Sequence, residues 1–222
     1  MFKTNNESYG IIGLGRFGAA LAIRLAEAGK EVIVIDNNES KVRELRDYTE
    51  YAYVCDKLTK ETLEEIGIQN CDTVIICIGE AIDTSILVTL NVVNLGVKRV
   101  ISKAISPDHG SVLAKLGAEV VYPERDMALR VAQRLLTNNI LEYISLDNDV
   151  DIAEIKVHKS IINKKICELP LRKKFGLNII AIEHNSKTDV EIDPNYVVNS
   201  EDVLVVIGKT ENIRAYERQL LL

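Results

Sequence analysis

Short apolar runs alternate with segments of helical periodicity over the first 122 residues of the chain. Such runs are typical of strands buried on both faces of a sheet. We place six of them, at residues 9–12, 31–35, 51–55, 73–78, 99–102 and 119–122. The amphipathic segments between them end mostly at glycine, as helices commonly do. Strands that alternate with helices predict an α/β fold with a doubly wound parallel sheet.

Three glycines follow the first apolar run at the spacing G-x-G-x-x-G, as Gly13, Gly15 and Gly18. They would permit a tight turn, a close approach of a phosphate to the backbone, and close packing of the next helix on the sheet. Asp36, at the end of the second apolar run, stands where a carboxylate accepts ribose hydroxyls and disfavours the 2′-phosphate of NADP. The pattern predicts a Rossmann-like site for an adenine nucleotide or dinucleotide. The alternative is a fold of this kind that has lost its ligand.

Polar residues stand at the carboxyl ends of several predicted strands, where ligands of such sheets collect. They are Asp36, Cys55 and Asp56, Gly79 and Glu80, and Lys103. We therefore expect one crevice that gathers them. Arg16 occupies the first turn of the first helix, where a guanidinium can contact a phosphate or lie in solvent.

A further helix begins at Pro123 and carries Met127, Val131 and Leu135 at intervals of four residues. This apolar stripe predicts either packing on the chain's own sheet or packing on a second subunit. The pattern changes near residues 140–147, where we place the boundary between two domains, 1–140 and 147–222, with a polar junction at residues 146–149. The second domain has predicted strands at 150–157, 178–182, 189–192 and 202–208, a basic helix near 169–174 and a terminal helix. It is predicted to be a small α+β C-terminal subdomain.

Composition and charge limit the kinds of partner that the chain is expected to bind. The net charge of −6, the absence of tryptophan and the presence of only three phenylalanines argue against a nucleic-acid surface. No stretch reaches the roughly 18 apolar residues of a membrane span, so direct membrane insertion is not expected. The polar N-terminus has no signal-peptide pattern, and the four cysteines form no CxxC pair. These features predict a cytoplasmic protein.

Reactive groups are sparse beside the predicted nucleotide site. His109, His158 and His184 each stand alone, as surface or capping histidines commonly do. The sequence contains no HExxH, GxSxG or P-loop motif. A nucleotide site without neighbouring chemistry predicts that the nucleotide is a signal and that the chain is not an enzyme. The alternative hypothesis is a small NAD-dependent oxidoreductase.

Several stretches resemble the RCK/KTN (TrkA-like) family, cytosolic regulatory subunits of Trk/Ktr-type bacterial potassium transporters, and are most similar to its Ktr branch. They are residues 12–18 (IGLGRFG), 35–36, 78–80, 102–104, 116–118, 123–127 (PERDM), 171–178 and 202–208. The resemblance implies a nucleotide-sensing gating subunit that binds ATP, ADP or NAD(H). It also implies a homodimer, formed through the helix after the sixth strand, that assembles into an octameric ring on a membrane potassium-translocating subunit. A similar sensor that serves a different transporter is a further possibility.

The resemblance also implies roles for individual residues. Arg16 and Lys103 would lie near phosphates, Asp36 at the ribose, Asp56 and Lys57 near the adenine, and Glu124 where Mg²⁺ or Ca²⁺ accompanies ATP. The expected nucleotide site comprises Gly13, Leu14, Gly15, Arg16, Phe17, Asp36, Asn37, Cys55, Asp56, Lys57, Ile78, Gly79, Glu80, Lys103 and Glu124. Cyclic di-AMP would contact the C-terminal subdomain at Arg172, Asn178, Ile179 and Pro194. The bulky Lys57 departs from the family pattern, which has a small residue there.

Overall fold

The chain divides into two compact units, residues 1–126 and 127–222. The computed structural model describes residues 7–136, 140–146, 149–185 and 187–220. One helix, which begins at Pro123, crosses the division between the units.

The first unit is a six-stranded parallel sheet with helices between its strands. The strands are β1 (Ser8–Ile12), β2 (Glu31–Asp36), β3 (Ala52–Val54), β4 (Thr73–Ile76), β5 (Arg99–Lys103) and β6 (Glu119–Val121). The helices are α1 (Arg16–Glu27), α2 (Glu39–Leu45), α3 (Lys60–Ile66), α4 (Ile82–Asn94), α5 (Pro107–Lys115) and α6 (Pro123–Leu136), with a 3₁₀ turn at Ile68–Asn70. The predicted α/β doubly wound sheet is confirmed.

Both faces of this sheet are buried. Successive residues of a strand point to opposite faces, so a strand covered on both sides is apolar throughout. Ile11, Val34 and Ile75 pack in one apolar cluster. Their neighbours Ile12, Ile35 and Ile76 pack in the other. This arrangement explains why the first half of the chain has continuous apolar runs instead of alternating ones.

The strand order β3-β2-β1-β4-β5-β6 places β1 in the centre, between β2 and β4. The chain reverses its winding direction between β1 and β4, and ligands of such sheets bind at this reversal, beyond the carboxyl ends of the strands. The turn after β1 and the segment after β4 therefore face the same crevice.

Three helix starts in the first unit, those of α2, α3 and α5, are capped by side chains. Asn38 accepts hydrogen bonds from the backbone N–H of Ser40 and Lys41 at the start of α2. Thr59 caps α3, as its sequence position predicts, through the backbone N–H of Thr62. Ser106 caps α5 through the backbone N–H of His109. The first helix, α1, has no such side chain at its start.

The second unit contains a five-stranded antiparallel sheet of order β10-β9-β11-β8-β7. Its strands are β7 (Ile140–Leu146), β8 (Val150–Lys156), β9 (Asn178–His184), β10 (Lys187–Asp189) and β11 (Val203–Lys209). A 3₁₀ turn at Ile166–Glu168, the short helix α7 (Leu171–Phe175) and the terminal helix α8 (Thr210–Leu220) complete it. One apolar cluster, which includes Leu171, Leu204, Val206, Ile213 and Tyr216, holds the sheet and helices together. The predicted α+β subdomain is confirmed.

Two expectations for this half were wrong in detail. The region expected to hold the domain boundary, 140–147, contains strand β7, which pairs with β8; residues 147 and 148 lie outside the described part. The strand expected at 189–192 is instead β10, Lys187–Asp189, because the chain reverses direction between His184 and Lys187 to pair with β9. Both errors follow from polar side chains on strands of the antiparallel sheet.

Candidate nucleotide site

The turn between β1 and α1 requires glycine at two positions. Gly13 has a φ angle of +98°, which side chains other than glycine rarely adopt, and a methyl group there would lie 3.1 Å from the backbone carbonyl carbon of Cys77. A methyl group on Gly18 would lie 2.0 Å from the carbonyl oxygen of Gly13, far inside contact distance. These two glycines let the turn close and let α1 begin against it.

Gly15, unlike Gly13 and Gly18, has open space around it. A methyl group added to it would meet no atom within 4 Å, and its extended backbone, with a φ angle of −70°, is one that any residue adopts. Gly15 is also the residue that precedes α1, and its lack of a side chain leaves the first backbone N–H groups of the helix without a cap. Such groups at a helix start bind phosphate oxygens. The space in front of Gly15 is therefore open to a ligand.

Asp36 lies at the end of β2 and braces this turn. Its Oδ2 accepts a hydrogen bond of 2.6 Å from the backbone N–H of Leu14, and its Oδ1 accepts one of 2.9 Å from that of Asn38. The ammonium of Lys41 lies 3.6 Å from Oδ2. An ionised carboxylate has about four acceptor positions, so these contacts leave capacity for ribose hydroxyls. Lys41 was not among the expected site residues, and its place in the first turn of α2, directly after Asp36, is the signal that could have found it.

A second group of charges lies on the far side of the crevice. Lys103, at the end of β5, donates to Glu124 Oε1 at 2.5 Å, and its ammonium lies 3.4 Å from the position that a methyl group on Gly79 would take. The hydrogen bond from Lys103 lowers the pKa of Glu124, and the positive charge of Arg16 contributes to the same shift. The fold therefore brings Arg16, Gly79, Lys103 and Glu124 near one another, although they come from four different parts of the chain.

The remaining predicted residues contribute in different ways. Leu14 is buried and Phe17 half-buried, and both pack in an apolar cluster of the first unit, so only their backbones are available to a ligand. Asn37, Asp56, Lys57 and Glu80 are exposed after strand ends. Cys55 and Ile78 are half-buried and pack against the other cluster. Burial raises the pKa of the Cys55 thiol, which makes it a poor nucleophile.

One carboxylate is available to a divalent cation. Among the described residues, no group of three or more histidines, cysteines, aspartates or glutamates could hold a metal ion. Mg²⁺ bound with a nucleotide needs only one or two protein carboxylates, because phosphates and water supply the other ligands. Glu124, at the start of α6 and two-thirds exposed, fits that limited role.

The residues predicted for cyclic di-AMP lie in the second unit. Arg172 is on α7, and Asn178 and Ile179 begin β9; the turn that joins these elements is closed by a hydrogen bond from Gly176 N–H to Arg172 O. Pro194 is exposed in a loop, where its carbonyl accepts a hydrogen bond from Cys167 N–H. Three of the four residues are thus close along one helix–strand connection.

The expectation for isolated histidines was wrong for His109. This residue is buried within the first turn of α5, and burial lowers the pKa of its imidazole. A methyl group on its neighbour Gly110 would lie 1.8 Å from the hydroxyl oxygen of Tyr122, so Tyr122 packs closely against the start of α5. His184 is half-exposed and lies 2.6 Å, through Nδ1, from the buried Asp202.

A parallel sheet of this strand order, with a glycine turn at its central strand and an acid at the end of the next, defines a Rossmann-like nucleotide-binding class of domain. The TrkA-N domain model matches residues 9–123, and the TrkA-C domain model matches residues 152–221. The chain belongs to the RCK/KTN (TrkA-like) family.

Relatives agree with this assignment over the whole chain. The Ktr system potassium uptake protein C of Bacillus subtilis is 37% identical over 97% of this chain and 98% of its own length. The Ktr system potassium uptake protein A of the same organism is 33% identical over 99% of both chains. The protein A of Vibrio alginolyticus is 32% identical over 95% of this chain and 96% of its own.

Solved structures share the fold. The GsuK RCK domain matches 98% of this chain with a TM-score of 0.64 and 21% identity, and a GsuK channel bound to NAD matches 99% with a TM-score of 0.64 and 20% identity. This chain spans less than half of those chains, 48% and 40% respectively. Among the described residues, no helix is long and apolar enough to cross a bilayer.

Proposed function

We propose that this chain is a nucleotide-sensing regulatory subunit of a potassium uptake system. It binds ATP, ADP or NAD(H) in front of the β1–α1 turn and controls a membrane potassium-translocating subunit. Full-length relatives that are Ktr system potassium uptake proteins support the transport role. The site geometry supports the nucleotide role.

One observation carries the nucleotide proposal: the open space at Gly15 faces uncapped helix N–H groups, with Arg16 and Lys103 at its border. Phosphates entering there gain backbone donors and two cations. The phosphates compete with Glu124 for Lys103, because the Lys103 ammonium donates a hydrogen bond to the Glu124 carboxylate. The released carboxylate is then free for Mg²⁺ or Ca²⁺.

This exchange makes the site sensitive to the number of phosphates. A triphosphate reaches further toward Arg16 and Lys103 than a diphosphate does, so the two nucleotides differ in how they redistribute charge at the start of α6. A ligand shifts a conformational equilibrium only by its difference in affinity for the two states. The response of the transporter would follow from that difference.

The exposed face of α6 supports self-association. Met127, Val131 and Leu135, spaced four residues apart along one face, are 55%, 46% and 79% exposed, and Leu129, on a different face of the helix, is 62% exposed. Contiguous apolar surface of this kind marks interaction sites. We propose that α6 pairs with its copy in a homodimer, which assembles into an octameric ring peripheral to the cytoplasmic face of the membrane. Cyclic di-AMP binding at Arg172, Asn178, Ile179 and Pro194 remains a proposal for the second unit.

Calorimetric titration with ATP, ADP and NADH tests the nucleotide site. Arg16→Gln should weaken ATP binding by about tenfold, the loss of one charge-assisted contact. Arg24→Gln is the matched control, because Arg24 lies on the same helix two turns further and pairs with Glu27 at the surface. Failure of the wild-type chain to bind any of the three ligands would refute the proposal.

Light scattering tests the self-association. Val131→Asp places a charge within the α6 stripe and should shift the chain to monomer at micromolar concentration. Val190→Asp, which charges a still more exposed valine outside this helix, should leave the mass unchanged. A Val131→Asp chain with the wild-type mass contradicts pairing through α6. Co-purification with a membrane potassium-translocating subunit would distinguish regulation of potassium uptake from regulation of a different transporter.

The oxidoreductase alternative has no support. The relatives are potassium uptake proteins, and by its family the chain is not an enzyme. The thiols at the crevice have raised pKa values because they are buried, that of Cys77 to about 12. NADH binding without turnover is therefore the expected behaviour.

A further inference from the structure

A cavity of about 470 Å³ lies in the second unit where β11 runs into α8. This volume is in the range of small-molecule sites. Its lining residues are Asp149, Lys209, Thr210, Glu211, Arg214 and Arg218. None of the four residues predicted to contact cyclic di-AMP lines this cavity.

The residues that line the cavity carry more positive than negative charge. Lys209, Arg214 and Arg218 have no ion pair and no side-chain hydrogen bond among the described residues. Two carboxylates, Asp149 and Glu211, share the lining, so the positive charges exceed the negative by one. Glu217 attracts Arg214 through space but is not among the lining residues.

The two arginines stand four residues apart on α8, which places them on the same face of the helix. Like charges at this spacing repel and destabilise a helix. Lys209, directly before the helix, adds to the repulsion. An anion bound between these cations reduces the repulsion between them.

The start of α8, which forms part of the cavity wall, is fixed before any ligand binds. Thr210 donates its backbone N–H and its hydroxyl to the carbonyl oxygen of Asp149, and the hydroxyl also contacts Asp151. Asp151 is fully buried and accepts a second hydrogen bond, of 2.6 Å, from Ser145. The start of α8 is thereby anchored to β7 and β8. A preorganised wall reduces the entropy cost of binding.

The chemistry of the lining selects a class of ligand. Guanidinium groups bind phosphate oxygens through two parallel hydrogen bonds, which an ammonium alone does not provide. The lining contains no aromatic ring on which a nucleobase would stack. We propose that this cavity binds a small phosphorylated anion through Arg214, Arg218 and Lys209. This site is independent of the nucleotide site in the first unit.

Calorimetric titration of the full chain with inorganic tripolyphosphate tests the proposal. The titrated chain carries Arg16→Gln and Lys103→Gln, which remove the phosphate contacts expected in the first unit. One equivalent should bind per chain. Adding Arg214→Gln and Arg218→Gln should weaken binding by about tenfold or more, since each change removes a charge-assisted contact.

Lys156→Gln with Lys187→Gln is the matched control. It also removes two positive charges from the second unit, but at the opposite end of the sheet, because Lys156 pairs with Val203 and Lys209 pairs with Val150. Equal weakening by both pairs, no binding, or no effect of the arginine changes would overturn the proposal. Nitrogen NMR shifts of the arginine side chains in the parent chain give a second measurement: tripolyphosphate should move Arg214 and Arg218 and leave Arg172 unmoved. The reverse pattern would also overturn it.

Discussion

The two units stabilise their loops by different means. In the first, the turn that faces the crevice is made of glycines, and the one carboxylate that braces it, Asp36, bonds two backbone N–H groups at the border of the crevice. In the second, the buried Asp202 accepts from His184 Nδ1, the Tyr196 hydroxyl and Asn199 N–H. Glycine leaves space for a ligand, whereas a carboxylate with three donors closes a loop around itself.

The contrast separates a binding role from a structural one. Asp202 is 1% exposed and accepts three hydrogen bonds within its own unit, so it is enclosed by protein and its contribution is to stability. Asp36 is 8% exposed and keeps acceptor capacity at the crevice. Each of the two buried acids has three polar contacts, so they differ in location: Asp36 borders the crevice, whereas Asp202 is enclosed in a loop.

The largest effect is expected when the glycine turn is filled. Gly18→Val would push a side chain into the Gly13 carbonyl oxygen and should lower the free energy of unfolding by about 3 kcal/mol or more. Urea denaturation measures this loss, and hydrogen exchange assigns it to the first unit. Gly15→Ala is the control: it should leave stability within about 0.5 kcal/mol while it weakens nucleotide binding. Equal destabilisation by the two changes would show that the open space at Gly15 is absent.

The second-largest loss of stability is expected at Asp202, the buried carboxylate of the second unit. Asp202→Asn leaves one oxygen for three donors and should cost about 2–3 kcal/mol of unfolding free energy. Urea denaturation and the hydrogen exchange of β9 and β11 report the loss. Nucleotide affinity should not change. A loss of affinity would mean that the two units do not divide these roles.

A smaller loss of stability is expected at Asp36. Asp36→Asn leaves one of two backbone N–H donors without an acceptor and should cost about 1–2 kcal/mol. Unlike Asp202→Asn, it should also weaken binding of ligands that contain ribose, measured by calorimetry with NADH. Inorganic tripolyphosphate, which has no ribose, serves as the control ligand and should bind as before. An unchanged NADH affinity would show that Asp36 holds the turn and does not contact the ribose.

The smallest effect is expected at Glu124. Lys103 lowers the pKa of this carboxyl in the folded chain, so the stabilisation is present above the unfolded pKa and is lost as the pH falls through the lower, folded value. Glu124→Gln should therefore cost less than about 1 kcal/mol near neutral pH, because the carboxylate is exposed to solvent, and nothing in more acid solution. Denaturation of both chains at the two pH values measures the difference. A carbon NMR titration of Glu124 with an ordinary pKa would contradict the ion pair.

Much of the first unit was predictable from the sequence. Six strands, the helices between them and the glycine turn were all placed correctly, with ends that differ by a few residues. The second unit was less predictable. Strand β7 contains Glu142 and Ser145, and it follows an interruption at Asn138 and Asn139, which lies outside the described residues. Antiparallel strands with one open face carry such polar residues, and their pattern resembles that of a loop.

The sequence by itself determined the parallel sheet, the family and the position of the glycine turn. These depend on local features: the period of the apolar residues, and the positive φ angle that Gly13 alone tolerates in that turn. Only the tertiary structure decided that Lys103 pairs with Glu124, that His109 is buried, and that Lys209 and two arginines share a cavity with Asp149. Each of these depends on which distant segments pack together, and side-chain spacing along the chain carries no information about distances across the fold.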